Sequence, residues 1–187
     1  MKKTLIHMAL FLVVLVSLSN PCYGGNLIQN GDFQKTGQDG RPSGWNLNIA
    51  RDTLADFSYA ETGKTSGGQA FKMTLHNPGG QVTLIPEQNA IRTPIPGKTY
   101  ELVLQVMAEN LDYNQFMGGS AIRMDFRPTR VRPTPIINLI DEFKNNTGWK
   151  ELRMAIVAPE DAERFVLDII LTKGTLWIAN VTLRQIN

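Results

Sequence analysis

The chain has very little cysteine and histidine, the side chains on which many metal sites and catalytic triads depend. Its 187 residues include one cysteine, Cys22, and two histidines, of which only His76 lies beyond the first 24 residues. A single histidine makes neither a histidine-based metal cluster nor a triad of the usual kind. With only one cysteine, intrachain disulfide bonds are excluded.

Phosphate-binding loops and long helical periodicity are lacking too. The Gly-Gly pairs at 79–80 and 118–119 are typical of hairpin turns, not of loops that cradle phosphate. Glycosidases need two carboxylates that face one cleft. Glu101, Asp125 and Asp168 are available, but a sequence cannot show that two of them meet. We therefore expect no catalytic residues, with a small hydrolase or lyase as the enzymatic alternative.

Residues 1–24 have the pattern of a secretory signal peptide. Two lysines near the start precede an apolar run, Met8 to Val16, and a small, polar segment follows. We expect cleavage after Gly24 and a secreted or periplasmic protein, since the apolar run is too short for an ordinary membrane span. A lipid anchor on Cys22 is the alternative, although Pro21 fits a lipoprotein signal poorly.

Residues 25–187 are electrically balanced. The signal segment holds two of the 19 Lys and Arg residues and none of the 17 Asp and Glu, so the remainder has a formal net charge of zero. A neutral domain has no general attraction to nucleic acid or to anionic membranes, and neither is expected as a partner. The remaining 163 residues are enough for one domain with its own core. Export without disulfides is typical of a bacterial protein.

Alternation of apolar and polar residues dominates this domain and predicts strands with one buried face. The alternating segments are Trp45–Ile49, Phe71–Leu75, Val82–Leu84, Tyr100–Val106, Ile122–Phe126, Leu152–Ile156, Phe165–Leu171 and Leu176–Leu183. Glycine, proline and asparagine separate them. About eight to ten short strands indicate an all-β sandwich or barrel. Residues 135–144 are the best helix candidate, at one or two turns or as an irregular loop.

Several short motifs occur in a familiar order along the chain. They are Asn-Leu-Ile-Gln-Asn-Gly-Asp-Phe at 26–33, Gly44-Trp45, Gly-Gly-Gln-Ala-Phe-Lys-Met at 67–73, Pro-Gly-Lys-Thr-Tyr at 96–100, Gly-Trp-Lys at 148–150 and Leu-Trp-Ile-Ala-Asn-Val-Thr-Leu at 176–183. Together they resemble the carbohydrate-binding modules of the family 4, 9 and 22 type, which share a galactose-binding-like jelly roll. The resemblance implies a jelly-roll β-sandwich of two antiparallel sheets, with glycan lying along a concave sheet face.

The resemblance also implies a place for a structural calcium ion, because many of these modules hold one with carboxylates near both chain ends. Asp32 is present here, but Gln34, Ala179 and Asn180 stand where the family motifs have Glu, Asp and Asp. Calcium needs several oxygen ligands, with carboxylates supplying most of the charge. We therefore expect no metal and no cofactor, with a weak site of Asp32 and backbone carbonyls as the alternative.

Strand alternation predicts which polar side chains point outward. Gln105 lies opposite in phase to the apolar residues of its strand, as do Arg123, Asp125 and Arg127 on the next strand, and Arg153 on a third. Amide, guanidinium and carboxylate groups suit sugar hydroxyls. If these strands share one sheet, the side chains line a groove. The alternative is a solvated sheet face with cross-strand charge pairs such as Asp125 with Arg153.

Aromatic residues supply the other part of a sugar site. Tyr113, in the loop 111–119, is predicted to stack on a sugar ring, whereas Phe116 is expected to cap the core. Trp45 and Trp149 each follow glycine at a strand start and are expected in the core. The orientation of Trp177 is left open.

A local basic stretch interrupts the otherwise balanced domain. Its members are Arg123, Arg127, Arg130 and Arg132. Arginine recognises carboxylate and phosphate groups by bidentate contacts, so an acidic glycan such as a uronate polymer would suit this stretch. The alternative is that these arginines pair with surface acids such as Asp141 or Glu142.

The sequence as a whole predicts a secreted, non-catalytic protein that binds a poly- or oligosaccharide on a sheet face. The predicted ligand-binding residues are Gln105, Tyr113, Arg123, Asp125, Arg127 and Arg153. The alternative is a structural or adhesive jelly roll at the cell surface, whose partner is a protein and not a sugar.

Overall fold

A computed structural model describes residues 25–62, 68–112, 119–144 and 148–187. The predicted signal segment, with Cys22, lies outside the described residues. Within them the strands are β1 Trp45–Ile49, β2 Ala55–Glu61, β3 Gln69–Leu75, β4 Val82–Pro86, β5 Thr99–Glu109, β6 Ala121–Arg127, β7 Ile136–Asn138, β8 Lys150–Val157, β9 Arg164–Leu171 and β10 Gly174–Gln185. The helical elements are a 3-10 turn, Gln88–Ala90, and a helix, α1, Leu139–Phe143.

The strands form two antiparallel sheets of five strands each. The order β1-β4-β9-β6-β7 defines the front sheet, and the order β2-β3-β10-β5-β8 defines the back sheet. Their inner faces share one buried core, to which the front sheet contributes Phe126 and the back sheet Tyr100, with ring centroids 6.4 Å apart. The predicted β-sandwich of two antiparallel sheets is thereby confirmed.

Side-chain alternation sets the inner face of each sheet. On β5 the residues Tyr100, Leu102, Leu104 and Val106 are buried, while the residues between them are only half-buried. Burying each such side chain stabilises the fold by about 1.5–3 kcal/mol. Tyr100 also packs edge-on against Phe165 at 4.8 Å, and its hydroxyl oxygen accepts a hydrogen bond from the Ile95 amide at 2.6 Å. The inward phase predicted for β5 is correct.

Two strands were not predicted from the sequence. In β2, Phe57 and Tyr59 alternate with polar neighbours and pack on Phe71, but they are only partly buried at the sheet edge. The three-residue β7 is too short for a period to show. It leads into α1, which Asn138 caps by accepting a hydrogen bond from the Ile140 amide at 3.0 Å. The helix lies where one or two turns were predicted.

The three tryptophans have three different environments. Trp45 is 3% exposed and packs on Phe33 at 5.2 Å, so its predicted core position is confirmed. Trp149 is half-buried and does not belong to the buried core, so the same prediction for Trp149 is wrong. Trp177 is half-buried on β10, and the Lys72 ammonium lies 5.1 Å from its ring centroid.

Residues 26–33 form an irregular segment that is hydrogen-bonded to β10. The Asn26 side chain donates to the Val181 carbonyl at 2.7 Å and accepts from the amides of Ile28 at 3.0 Å and Leu183 at 2.9 Å. The Val181 amide in turn donates to the Gly31 carbonyl at 2.7 Å. One amide side chain therefore connects the two ends of the described chain.

Candidate functional site

A depression of about 340 Å³ lies on the outer face of the front sheet. We call it the front groove. Its polar lining comprises Asn48, Gln81, Thr83, Arg123 and Asp168. The residues come from β1, β4, β6 and β9 and the turn before β4, so the groove crosses most of the front sheet.

Strand register explains why these side chains meet. Directly opposed residues on neighbouring strands put their side chains on the same face. Asn48 lies opposite Thr83, and Thr83 lies opposite Ile170. Ile170 lies opposite Ala121, which lies opposite Asn138. This row of small and medium side chains crosses all five strands of the front sheet.

An ion pair stands in the next row of the sheet. Arg123 and Asp168 are directly opposed, and the Arg123 Nε donates to the Asp168 Oδ2 at 2.9 Å, while the Nη2 contacts the same oxygen. The Asp168 side chain is 8% exposed and that of Arg123 is 39% exposed. Because guanidinium has five N–H donors, Asp168 holds Arg123 in place without using all of them. Arg123 can therefore donate to a ligand in the groove.

Aliphatic side chains complete this face. Ile49, Ile85 and Ile170 line the groove, and Ile136 lies beside Arg123 on β7. Ile49 is 41% exposed and Ile136 is 58% exposed. Within the described residues no aromatic side chain lines the groove. Tyr113 and Phe116 lie outside the described residues, so the proposed stacking of Tyr113 stays a prediction.

The predicted binding residues do not share one face. Arg123, Asp125 and Arg127 are on β6 of the front sheet, whereas Gln105 on β5 and Arg153 on β8 belong to the back sheet. The outer faces of two packed sheets point in opposite directions. The assumption that these strands share one sheet is therefore wrong, and so is the predicted pair between Asp125 and Arg153.

On the back sheet the charged residues neutralise each other. Arg153 contacts Glu101 at 3.3 Å and Glu151 at 2.6 Å, and Arg184 contacts Glu101 at 2.5 Å. The hydrogen bond from Arg184, followed by that from Arg153, holds the pKa of Glu101 below its ordinary value. Hydrogen bonds to Glu151 and Glu101 raise the pKa of Arg153. The alternative of a charged face with cross-strand pairs is correct for this sheet, with other partners than expected.

Gln105 and Asp125 are both occupied by protein contacts. The Gln105 Oε1 accepts from the Asn180 Nδ2 at 3.1 Å. Asp125, predicted to face outward, is 3% exposed, because the loop from β6 to β7 covers it. Its Oδ1 accepts from the amides of Phe126 and Val131, each at 2.9 Å. Burial under a loop could not be read from strand alternation.

The groove residues that were not predicted are Asn48, Gln81 and Thr83. Asn48 alternates with the buried Leu47, and Thr83 lies between the buried Val82 and Leu84, so their phase was visible in the sequence. The Gln81 Nε2 donates to the Thr83 Oγ1 at 3.0 Å, which orients both side chains. Only the pairing of β1 with β4, of β4 with β9 and of β9 with β6 shows that these residues adjoin Arg123.

Metal ligands are sparse. Within the described ranges no three His, Cys, Asp or Glu side chains lie together as metal ligands would. At the place implied for calcium, Asp32 and Gln34 are exposed, Ala179 is buried, and the Asn26 amide makes the connection between the chain ends. These residues do not supply the carboxylates that calcium requires. The expectation of no calcium stays a prediction.

No helix in the part of the chain that the structure describes has the length and apolar character needed to cross a bilayer. No protein-family model matches the sequence. No curated protein matches it either.

Solved structures share the fold. A tailspike domain of bacteriophage CBA120 superposes with a TM-score of 0.64 at 15% identity, over 86% of this chain and 21% of that one, so this chain spans about a fifth of it. A family 4 carbohydrate-binding module superposes with a TM-score of 0.53 at 19% identity, over 85% of this chain and 99% of the module. A Stig cyclase from Fischerella sp. TAU gives 0.57 at 13% identity, covering 86% and 96%.

These three proteins have different functions on one fold. At such low identities the likeness is one of fold, and function depends on the particular site. The expected likeness to the jelly roll of carbohydrate-binding modules is confirmed. The function of this chain therefore depends on the chemistry of its own surface, where the front groove is the candidate site.

Proposed function

We propose that this protein binds a poly- or oligosaccharide, without catalysis, in the front groove. The observation that carries the proposal is the Arg123–Asp168 pair, set in a depression on the outer face of a sheet in a fold that carbohydrate-binding modules also have. The predicted residues Arg123 and Arg127 stay in the proposal. Gln105 and Arg153 leave it, because they lie on the opposite sheet.

The groove has the chemical composition that a sugar ring needs. Its volume of about 340 Å³ lies within the range of small-molecule sites. Asn48, Thr83 and Arg123 offer amide, hydroxyl and guanidinium groups to sugar hydroxyls. Ile85 and Ile170 offer apolar surface to the C–H face of the ring. Such a mixture of polar groups and aliphatic surface supports binding of a glycan.

The carboxylates support a non-catalytic role. Among the residues that line the groove only Asp168 carries one, and it is paired with Arg123. Glycosidases of the usual kind use two carboxyl groups on either side of the scissile bond.

The second candidate function is binding of a partner protein at this face, because Ile49 and Ile136 leave aliphatic surface exposed beside the groove.

Binding is tested with residues 25–187 on a glycan array and by affinity electrophoresis with neutral and acidic polysaccharides. We expect the double variant Arg123→Gln/Asp168→Asn to weaken binding about 10- to 100-fold, since a hydrogen bond to a charged group contributes about 1.5–3 kcal/mol. Replacing both partners avoids leaving one buried charge alone. Gln105→Ala on the back sheet is the control and should bind like the wild type.

Three results would contradict the proposal. If no glycan binds, the sugar-binding function is wrong, and a protein partner becomes the leading candidate. If Gln105→Ala weakens binding while the groove variant does not, the ligand lies on the back sheet. Turnover of a bound glycan would show that the protein is an enzyme.

We infer that binding takes place outside the cytoplasm, from the signal-peptide pattern of residues 1–24. The mass of the protein recovered from the medium or periplasm tests this. A product that begins at Gly25 supports export with cleavage after Gly24. Retention of the full 187 residues inside the cell contradicts it.

A further inference from the structure

A second cluster of charge lies on the same outer face as the front groove. Arg127 on β6 and Arg164 on β9 are directly opposed, so their Cα atoms lie about 4.5–5.5 Å apart and both side chains project from this face. Two like charges placed directly opposite one another destabilise a sheet.

Acidic side chains offset only part of this charge, since Asp125 is the one acid paired with Arg127 and Arg130 among the described residues. All 17 Asp and Glu residues of the chain lie within the described ranges. Among the described residues, Arg132 and Arg164 form no ion pair, and neither Asp141 nor Glu142 contacts an arginine. The alternative that the arginines of this stretch pair with acids is therefore correct for Arg123, Arg127 and Arg130, but their partners are Asp168 and Asp125 and not Asp141 or Glu142.

One buried carboxylate positions part of the cluster. Asp125 is 3% exposed and holds the loop after β6 through the Phe126 and Val131 amides. Its Oδ2 lies 3.4 Å from the Arg127 Nη1 and 4.0 Å from the Arg130 Nε. Arg127 also donates to the Phe126 carbonyl at 3.0 Å. Asp125 is thus a positioning residue that orders Arg127 and draws Arg130 beside it.

We propose that the ligand of the front groove is an anionic polysaccharide, one of whose carboxylate or sulfate groups binds between Arg127 and Arg164. This rests on the proposed function. Arginine is suited to both groups, because its planar fork makes paired hydrogen bonds to oxyanions. Arg123 and Arg127 are four residues apart on β6, or about 13 Å. A chain of a few sugar rings therefore reaches from the groove to the arginines.

Affinity electrophoresis and calorimetry with alginate, dextran sulfate and dextran test the proposal. Alginate carries carboxylates, dextran sulfate carries sulfates, and dextran is the neutral reference. We expect binding to at least one anionic polymer to be at least tenfold tighter than to dextran, and to weaken as salt is added. The polymer that binds identifies the anionic group.

Two double variants separate a local effect from an effect of net charge. Arg127→Gln/Arg164→Gln should lower affinity for the anionic polymer at least tenfold. Lys72→Gln/Arg184→Gln removes the same charge from the back sheet and should change affinity less than twofold. Equal losses in both would show that only net charge matters, and would overturn the proposal.

The unliganded protein gives an independent measurement. Arg164→Gln removes one member of the opposed pair, so the melting temperature should rise by about 1–3 °C at low salt and by less at high salt. A fall in melting temperature would show that the two arginines do not repel, and would contradict the proposal.

Failure of this proposal can be told from failure of the proposed function. Dextran bound as tightly as the anionic polymers would overturn the anionic ligand and leave glycan binding intact. Duplex DNA bound as tightly as the anionic polymers would show that the arginines recognise any polyanion, and would overturn a glycan as the ligand. Binding of none of the array glycans would overturn both.

Discussion

Replacing Asn26 by alanine should loosen the connection between the start of the domain and β10. The side chain makes three hydrogen bonds, to the Val181 carbonyl and from the Ile28 and Leu183 amides, at 2.7–3.0 Å. A typical hydrogen bond contributes a net of about 0.5–1.5 kcal/mol to the free energy of unfolding. Water can reach Asn26 and replace part of the loss, so we expect Asn26→Ala to cost about 2–3 kcal/mol.

Urea and thermal unfolding of residues 25–187 measure this loss. For a domain of this size each kcal/mol lowers the melting temperature by about 2–4 °C, so the expected decrease is about 4–12 °C. Gln29→Ala is the control, because its only side-chain hydrogen bond within the described residues, to the Asn89 carbonyl, is exposed and 3.4 Å long. The control should change the free energy of unfolding by less than about 0.5 kcal/mol.

The same experiment tests the expectation that calcium is not needed. If the Asn26 amide joins the chain ends by itself, wild-type protein should melt at the same temperature in EDTA and in calcium. A bound ion would raise the melting temperature, and the increase would grow with the logarithm of the calcium concentration above the dissociation constant. If Asn26→Ala lies within about 0.5 kcal/mol of the wild type, the Asn26 hydrogen bonds do not hold the start of the domain on β10. If calcium stabilises the wild type, the protein has a calcium site.

Two further predictions concern stability. Glu101→Gln should destabilise the protein at neutral pH, because the Arg184 hydrogen bond holds the pKa of Glu101 below its ordinary value of 4.5. The difference in free energy of unfolding between wild type and variant should persist above pH 4.5 and vanish as the pH falls through the lowered pKa of Glu101. Urea unfolding at several pH values measures it, and a difference that does not change with pH would contradict the prediction. Gly31→Ala should lower the free energy of unfolding by about 3 kcal/mol or more, because an added Cβ overlaps the Val181 carbonyl. Gly25→Ala is the control, since its added Cβ meets no atom within 4 Å. Equal melting temperatures of the two variants would contradict the prediction.

Much of the sandwich could be read from local alternation. The period of two places Tyr100 and Leu102 inward, and it does so whichever strand lies beside them. The edge strands were not predicted because they show little of the alternation that a buried face produces. β2 is half-exposed, and β7 has only three residues. Trp149 was placed in the core because it follows glycine at a strand start. Its position alternates with that of the buried Leu152 and has the phase of the exposed Glu151, so strand alternation directs it away from the core.

The candidate site was only partly accessible from the sequence. Arg123 and Arg127 were identified because their outward phase on one strand is a local property. Gln105 and Arg153 have the same phase but stand on the back sheet, since β5 pairs with β8 and β10. Asp125 has the right phase as well, yet the loop after β6 buries it.

Local alternation in the sequence is enough to predict short strands with one buried face, because it depends only on neighbouring residues. It could not determine which sheet each strand joins, since pairing brings together residues far apart in the chain. Only the tertiary structure placed β6 beside β9, which opposes Arg123 to Asp168 and Arg127 to Arg164. The same pairing put an ion pair in the groove and two directly opposed arginines beside it, one of which, Arg127, also contacts Asp125.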